Sequence, residues 1–213
     1  MSFAFPGACL TLTAEFLHIH CDAPLRTLSS AIVGGGLDVT QDIINRHVDK
    51  DYRSDDVEQE QISFARAHAI DRPFAGLLTA VYIDKARTCS LREDGLAVAA
   101  VVTAGVGNAT CAGVSAPAAR QPGTINIIVL LDANLTPAAM VNAVLTVTEV
   151  KTHVLIERGV RTPDGAPATG TSTDTVTIAC SGRGDPLLYA GPVTLIGSLI
   201  GRCVRQCLQE ALS

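Results

Sequence analysis

A chain of 213 residues with 47% hydrophobic and 17% charged positions is too apolar for intrinsic disorder and long enough for one domain with a substantial core. Its net charge is -5 with no basic run longer than two residues, which leaves no electrostatic footprint for a nucleic acid backbone. Aromatics are only 4% and Trp is absent, so Ala, Val, Leu and Ile must build the core, a composition that favours buried strands and closely packed helices.

Residues 10–20 alternate Leu10, Leu12, Ala14 and Phe16 against Thr11, Thr13 and Glu15, the period of a half-buried strand. A second strand is expected over residues 25–33, ending at Gly34-Gly35-Gly36. Asp55 followed by Glu58 reads as a capping box for a helix to about Ile70, stopping before Pro73. Residues 76–83 are apolar and β-prone, and strands at 88–92 and 96–103 flank the hairpin signal Glu93-Asp94-Gly95. Residues 116–123 read as a surface loop, and 125–131 as a strand buried on both faces. Thr136-Pro137 starts a helix with Thr as N-cap and Pro at the first helical position, ending near Gly159. A strand follows at 175–180, and Pro192 opens a final helix. Strands and helices mix without a regular βαβ repeat, which gives a single α+β domain over residues 1–213, a mixed sheet layered with helices.

The longest uncharged stretch, residues 95–119, is broken by Gly105, Gly107 and Asn108 and reads as strand and loop, not as a membrane span. The first residues lack the basic and apolar regions of a secretory signal. A cytoplasmic protein with no nucleic acid and no membrane partner is expected; a homo-oligomer is compatible with the small-residue face Gly197, Ser198 and Gly201. Seven cysteines without paired spacing suggest reduced, mostly buried thiols. His18 and His20 would share one face of a strand beside Cys21, but nothing nearby in sequence completes a ligand set, and no metal is expected.

The most informative stretch is Thr169-Gly170-Thr171-Ser172-Thr173-Asp174-Thr175, hydroxyls, a glycine and a carboxylate leading into an apolar strand. Two other segments share this composition: Ser29-Ser30-Ala31-Ile32-Val33-Gly34-Gly35-Gly36 and Thr103-Ala104-Gly105-Val106-Gly107-Asn108-Ala109. Glycines there permit close approach of backbone N–H groups to a ligand. No segment has the spacing of a phosphate loop, a dinucleotide fingerprint or a Gly-x-Ser-x-Gly elbow. Asn45 and His47, Asn126, and Glu149 with Lys151 are further polar candidates; Glu149 can pair with His153 along one helix face, and Asn45 reads as a backbone cap.

These three segments, together with Ile44-Asn45-Arg46-His47-Val48 and in this order, resemble the successive motifs of the adenosylcobinamide amidohydrolase family. The resemblance implies cleavage of the aminopropanol amide of adenosylcobinamide to adenosylcobyric acid in corrinoid salvage, with the corrinoid as substrate and no separate cofactor. A corrinoid carries many peripheral amides, which suit a pocket of Asn, Thr, Ser and backbone N–H groups. Amide hydrolysis needs an activated nucleophile, oxyanion donors and an acid for the leaving amine. The residues offer Asp174 or Glu149 to activate water or a hydroxyl, Ser30 or Thr173 as nucleophile, and His47 as proton shuttle. Gly34, Gly35 and Gly36, or Thr103, Gly105 and Asn108, would supply oxyanion donors, with Asn45 and Thr171 binding substrate. The alternatives are a non-catalytic corrinoid-binding protein and a threonine-nucleophile amidase acting on another small amide.

Overall fold

The computed structural model describes residues 3–117 and 123–213. Its longer strands are β1 (Ala8–Leu12), β2 (Phe16–Ser29), β3 (Gly36–His47), β4 (Phe74–Thr79), β5 (Arg87–Glu93), β6 (Leu96–Ala104), β7 (Ile125–Asp132) and β8 (Thr175–Cys180). The helices are α1 (Val57–Ala67), α2 (Pro137–Glu157) and α3 (Leu195–Ala211). The strands form one mixed sheet in the order β4-β3-β2-β8-β7-β6-β5, with β1 added to β2. Only β3 with β4 and β7 with β8 run parallel within it.

The long β2–β3 ladder bends. Pairing runs from Phe16↔Arg46 to His20↔Asp42, then resumes with a register shift at Leu25↔Thr40. The interruption contains Pro24, which has no N–H to give a ladder. Beyond the bend β2 pairs with β8; before it, β2 pairs with β1. The bend swings β1, β4 and the adjoining halves of β2 and β3 across one face of β6, β7 and β8. There Leu17, Ile19, Ile43 and Leu77 pack against Val101, Ile128 and Leu130. The opposite face of β6, β7 and β8 buries Val98, Val129 and Ile178 under Met140, Val147 and Val154 of α2 and Leu199, Cys203 and Cys207 of α3. A third core, Phe16, Ile44, Ala65, Ile70 and Phe74, seats α1 on the outside of the folded-over strands. The result is four layers: helices, strands, strands, helix.

The α+β reading holds, with local differences. The strand expected over residues 10–20 is a hairpin: Thr13 Oγ1 accepts from the backbone N–H of Phe16 at 3.0 Å and of Glu15 at 3.2 Å, turning the chain between β1 and β2. An alternating pattern continues through such a turn, so periodicity alone does not see it. No strand is foreseen where β3 runs, because Asp38, Gln41, Asp42, Asn45 and Arg46 hide its apolar positions. The cap of α1 is Asp56, not Asp55, and accepts from Gln59 N–H at 3.0 Å. Thr136 caps α2 as expected, whereas α3 starts three residues beyond Pro192, with Thr194 as its cap. In the Asp94-Gly95 turn both residues have positive φ, 47° and 80°, as the tight hairpin requires. Of the loop expected over residues 116–123, residues 118–122 lie outside the described residues.

Helix α2 is long and apolar enough to cross a membrane by length and composition, with a mean hydropathy of 1.2 over its best window. It is here a core helix, burying Met140, Ala143, Val147, Val154 and Leu155. The small face of α3 closes on its own chain. A Cβ on Gly197 would stand 1.9 Å from Gly191 O, and one on Gly201 would stand 3.6 Å from Val150 of α2.

Five of the seven cysteines are buried, while Cys9 is exposed and Cys111 half-buried. Burial pushes the Cys21 thiol up to about 11, assisted by the charges of Asp42 and Asp22, and pushes Cys180 up to about 12. The thiolate is the reactive form. In the folded protein at pH 8, a thiol-specific disulfide reagent will therefore titrate Cys9 and Cys111 rapidly, and all seven only after denaturation. More than two fast thiols would contradict this packing.

Candidate active site

Two of the three hydroxyl- and glycine-rich segments meet. The 169–175 segment leaves α2 through a loop and enters β8; the 103–109 segment leaves the end of β6. Gly170 and Thr171 pair antiparallel with Thr110 and Ala109, which holds the two segments side by side. Asn108, only 4% exposed, donates from Nδ2 to Ser172 Oγ and to Gly123 O, both at 2.8 Å. Thr173 Oγ1 donates to the same Gly123 O at 2.8 Å. This corner opens on a cleft of about 500 Å³ whose walls include Thr110, Cys111, Ser115 and Asp164. Asp164 is the single charged side chain among the described residues lining the cleft.

Asp174 anchors the segment from behind. Its Oδ2 accepts from Lys151 Nζ and from Thr171 N–H at 3.0 Å, and its Oδ1 accepts from Thr171 Oγ1 and from Ile125 N–H at 3.1 Å. Four donors occupy the four lone-pair sites of the carboxylate. It ties the turn to α2 and to the start of β7, and offers no lone pair to a water. The Lys151 and Asp174 side chains are 10% and 12% exposed. Gly170 is needed beside them, since a Cβ there would stand 2.5 Å from Asp174 Oδ2 and 2.8 Å from Lys151 Nζ.

The network continues inward between the two strand layers. Thr124 Oγ1 donates to Thr173 O at 2.7 Å and to Asn126 Oδ1 at 3.1 Å. Asn126 Nδ2 donates to Asn45 Oδ1 at 2.9 Å and to Leu78 O at 2.8 Å, and Asn45 Nδ2 donates to Thr103 Oγ1 at 2.9 Å. Asn45, Thr103 and Asn126 are each 1% exposed. Asn45 is thus no backbone cap; it joins the folded-over β3 to β6 and β7. Such a chain of buried amides and hydroxyls rigidifies because every broken link strands a polar group.

The other candidates lie apart from the Asn108–Ser172 corner. Gly105 donates its N–H to Thr124 O at 2.9 Å, and a Cβ there would press on Val81 at 2.9 Å. His47 Nδ1 is 3.1 Å from Val81 O, and its ring lies against Tyr82 at 4.9 Å. Ser30 is exposed and accepts from Val176 N–H at 3.1 Å, extending the β2–β8 ladder. Gly34, with φ +64°, and Gly35 close the β2–β3 turn, where a Cβ would meet Phe74 O at 2.5 Å or Ala31 O at 2.4 Å; Gly36 has φ +84°. Glu149 is exposed on α2, about 200° around the helix from buried Lys151. His153 takes Glu157 at 3.4 Å and Arg205 Nη1 at 3.2 Å as partners. Ser172 lies inside the 169–175 segment but, flanked by Thr171, Thr173 and Asp174, carries no sequence signal that sets it apart from them. The burial of Lys151 has no local signal in the sequence.

Fold and site together define a four-layered α+β domain with a largely apolar cleft into which Asn108, Thr110, Ser115, Ser172 and Asp164 bring polar groups. The family model of CbiZ, adenosylcobinamide amidohydrolase, matches residues 9–213, and the chain belongs to that family. It is accordingly an amidohydrolase, acting on C–N amide bonds. The adenosylcobinamide amidohydrolase of Methanosarcina mazei is 31% identical over 189 residues, 84% of this chain and 86% of that protein. That of Halobacterium salinarum is 33% identical over 64% of this chain and 57% of the other. An uncharacterized protein of Methanocaldococcus jannaschii, MJ1613, is 39% identical over 44% of this chain, which spans 37% of that longer protein. The crystal structure of the PH0078 protein from Pyrococcus horikoshii aligns over 97% of this chain and 82% of the other at 11% identity, with a TM-score of 0.47.

Proposed function

We propose that this protein hydrolyses the aminopropanol amide of adenosylcobinamide, releasing aminopropanol and adenosylcobyric acid as a step of corrinoid salvage. The observation that carries the placement of this chemistry is the Asn108–Ser172 contact at the mouth of the cleft. Pockets for drug-sized ligands run to about 300–1,000 Å³. At about 500 Å³ this cleft admits the amide-bearing side chain and an edge of the macrocycle, leaving the remainder of the corrinoid outside.

The chemistry divides among named groups. The Ser172 hydroxyl faces the scissile carbonyl and donates to the oxygen as it gains charge, while Asn108, whose two N–H donors are taken by Gly123 O and Ser172 Oγ, holds that hydroxyl in place as a positioning residue. Ser172 already accepts from Asn108, so its own proton points to a third group, the substrate oxygen. Thr173, next in the turn, is the nucleophile candidate of the segment, its hydroxyl turning from Gly123 O, to which it donates at 2.8 Å, toward the carbonyl carbon; Asp174 and Lys151 hold that turn in place as positioning residues. Asp164 supplies the acid–base function for the leaving amine from the cleft wall. His47, Ser30, Glu149 and the Gly34 to Gly36 turn are left outside this assignment.

Incubating the protein with adenosylcobinamide and assaying free aminopropanol and the new corrinoid carboxylate tests the activity. Stoichiometric binding without release would replace hydrolysis by the corrinoid-binding alternative. A trapped acyl-enzyme that disappears in Thr173→Ala would make Thr173 the nucleophile; its absence leaves water in that role.

A further inference from the structure

We propose that His18, His20 and Asp42 form a structural site for a late first-row divalent cation of the zinc type, clamping the β2–β3 ladder at its bend. His18 and His20 sit two residues apart on β2 and so point to the same outer face, away from the polar seam between the strand layers. Asp42 lies directly across from His20 on β3. The fold-back thereby supplies the third ligand that is distant in sequence, 22 residues from His20, and corrects the expectation that nothing completes the set.

The geometry is convergent. His18 Nε2 and His20 Nδ1 both approach the same Asp42 Oδ1, each at 2.8 Å, and one donor atom from each of the three residues lies within 4.8 Å of the others. Asp42 is 1% exposed, and its Oδ2 is buried with no hydrogen bond; the Arg72 guanidinium stands 3.6 Å from it. A carboxylate so deeply buried requires compensating positive charge. A cation among the three ligands provides it, and Arg72, 58% exposed, can turn away to water. Two imidazoles and one carboxylate suit zinc and its neighbours, with a fourth position for water, and do not suit magnesium or calcium, which take oxygen ligands.

The position gives the role. His20↔Asp42 is the last pair before the register shift, so an ion there fastens both strands where the ladder turns. Binding to the folded state alone raises its melting temperature.

The test uses the full chain, stripped with a chelator, and follows Zn²⁺ and Co²⁺ by calorimetry, by cobalt d–d absorption and by thermal melting. One ion per chain, a cobalt spectrum of four-coordinate type and a raised melting temperature are expected with Zn²⁺ or Co²⁺, and no rise with Mg²⁺. His20→Gln, at a side chain 35% exposed, should fold and bind more than about 100-fold more weakly, beyond what loss of an outer partner costs. Arg72→Gln, which removes the competing cation, should bind more tightly. Zn²⁺ affinity unchanged in both variants, or no stoichiometric binding in the native protein, would overturn the proposal.

Discussion

Replacing Lys151 by Met will lower stability by about 3 kcal/mol, the low end of the range of about 3–5 kcal/mol for breaking a buried ion pair. The low end applies because Asp174 keeps three other donors, the N–H of Thr171 and Ile125 and the hydroxyl of Thr171. For a domain of this size each kcal/mol moves the melting temperature by about 2–4 °C, so a fall of roughly 6–12 °C is expected. Asp174→Asn will cost a similar amount by stranding the ammonium instead. The double variant will recover part of the loss, since neither charge is then left alone. A chemical denaturation series with both single variants and the double variant measures the coupling. Additive losses, or a Lys151→Met loss below about 0.5 kcal/mol, would show that the pair does not tie the turn to α2.

Removing the Ser172 hydroxyl will reduce turnover of adenosylcobinamide by about 100- to 1,000-fold, the cost of losing one oxyanion donor. Ser172 is exposed but accepts from the buried Asn108 amide, so Ser172→Ala will cost about 1 kcal/mol, the low end of the range of about 1–3 kcal/mol for a stranded donor because water in the cleft can take its place. Corrinoid binding will change little, because the donor matters chiefly when charge develops on the oxygen. Asn108→Ala will lose activity through the displaced Ser172 hydroxyl and more stability than Ser172→Ala, since its amide bridges Gly123 O and Ser172 Oγ inside the fold. Glu149→Gln, at an exposed position on the far side of α2, will turn over normally. Native turnover in Ser172→Ala would remove the Asn108–Ser172 corner from the reaction. A rise in KM with kcat unchanged would instead make it a binding contact.

The segments that compose the site were legible because polar small residues at the ends of apolar strands are conspicuous in one dimension. Residues 103–108 and 169–175 do come together, through the short pairing of Gly170 and Thr171 with Thr110 and Ala109. Which of their side chains face a ligand was not legible. Asp174 looks like a free base in the sequence and is consumed by four donors in the fold. Lys151 and Glu149 look alike as charged residues of one helix; one is buried on the site and the other faces solvent. Two residues of helix place them on nearly opposite sides, and only the packing says which side is inside.

The same limit governs the larger architecture. Binary pattern, the Thr136-Pro137 start and the Asp94-Gly95 turn determine the kinds of element, the mixed α+β class and a core built chiefly of aliphatic side chains, because these depend on neighbours a few residues apart. The bend of the β2–β3 ladder is a long-range event. It carries Asn45 onto Thr103 and Asn126, 58 and 81 residues away, and pairs His18 and His20 with Asp42. Burial of Leu17, Ile43 and Leu77 against β6 and β7 drives that fold-back, and it is a property of the collapsed chain and not of any segment of it.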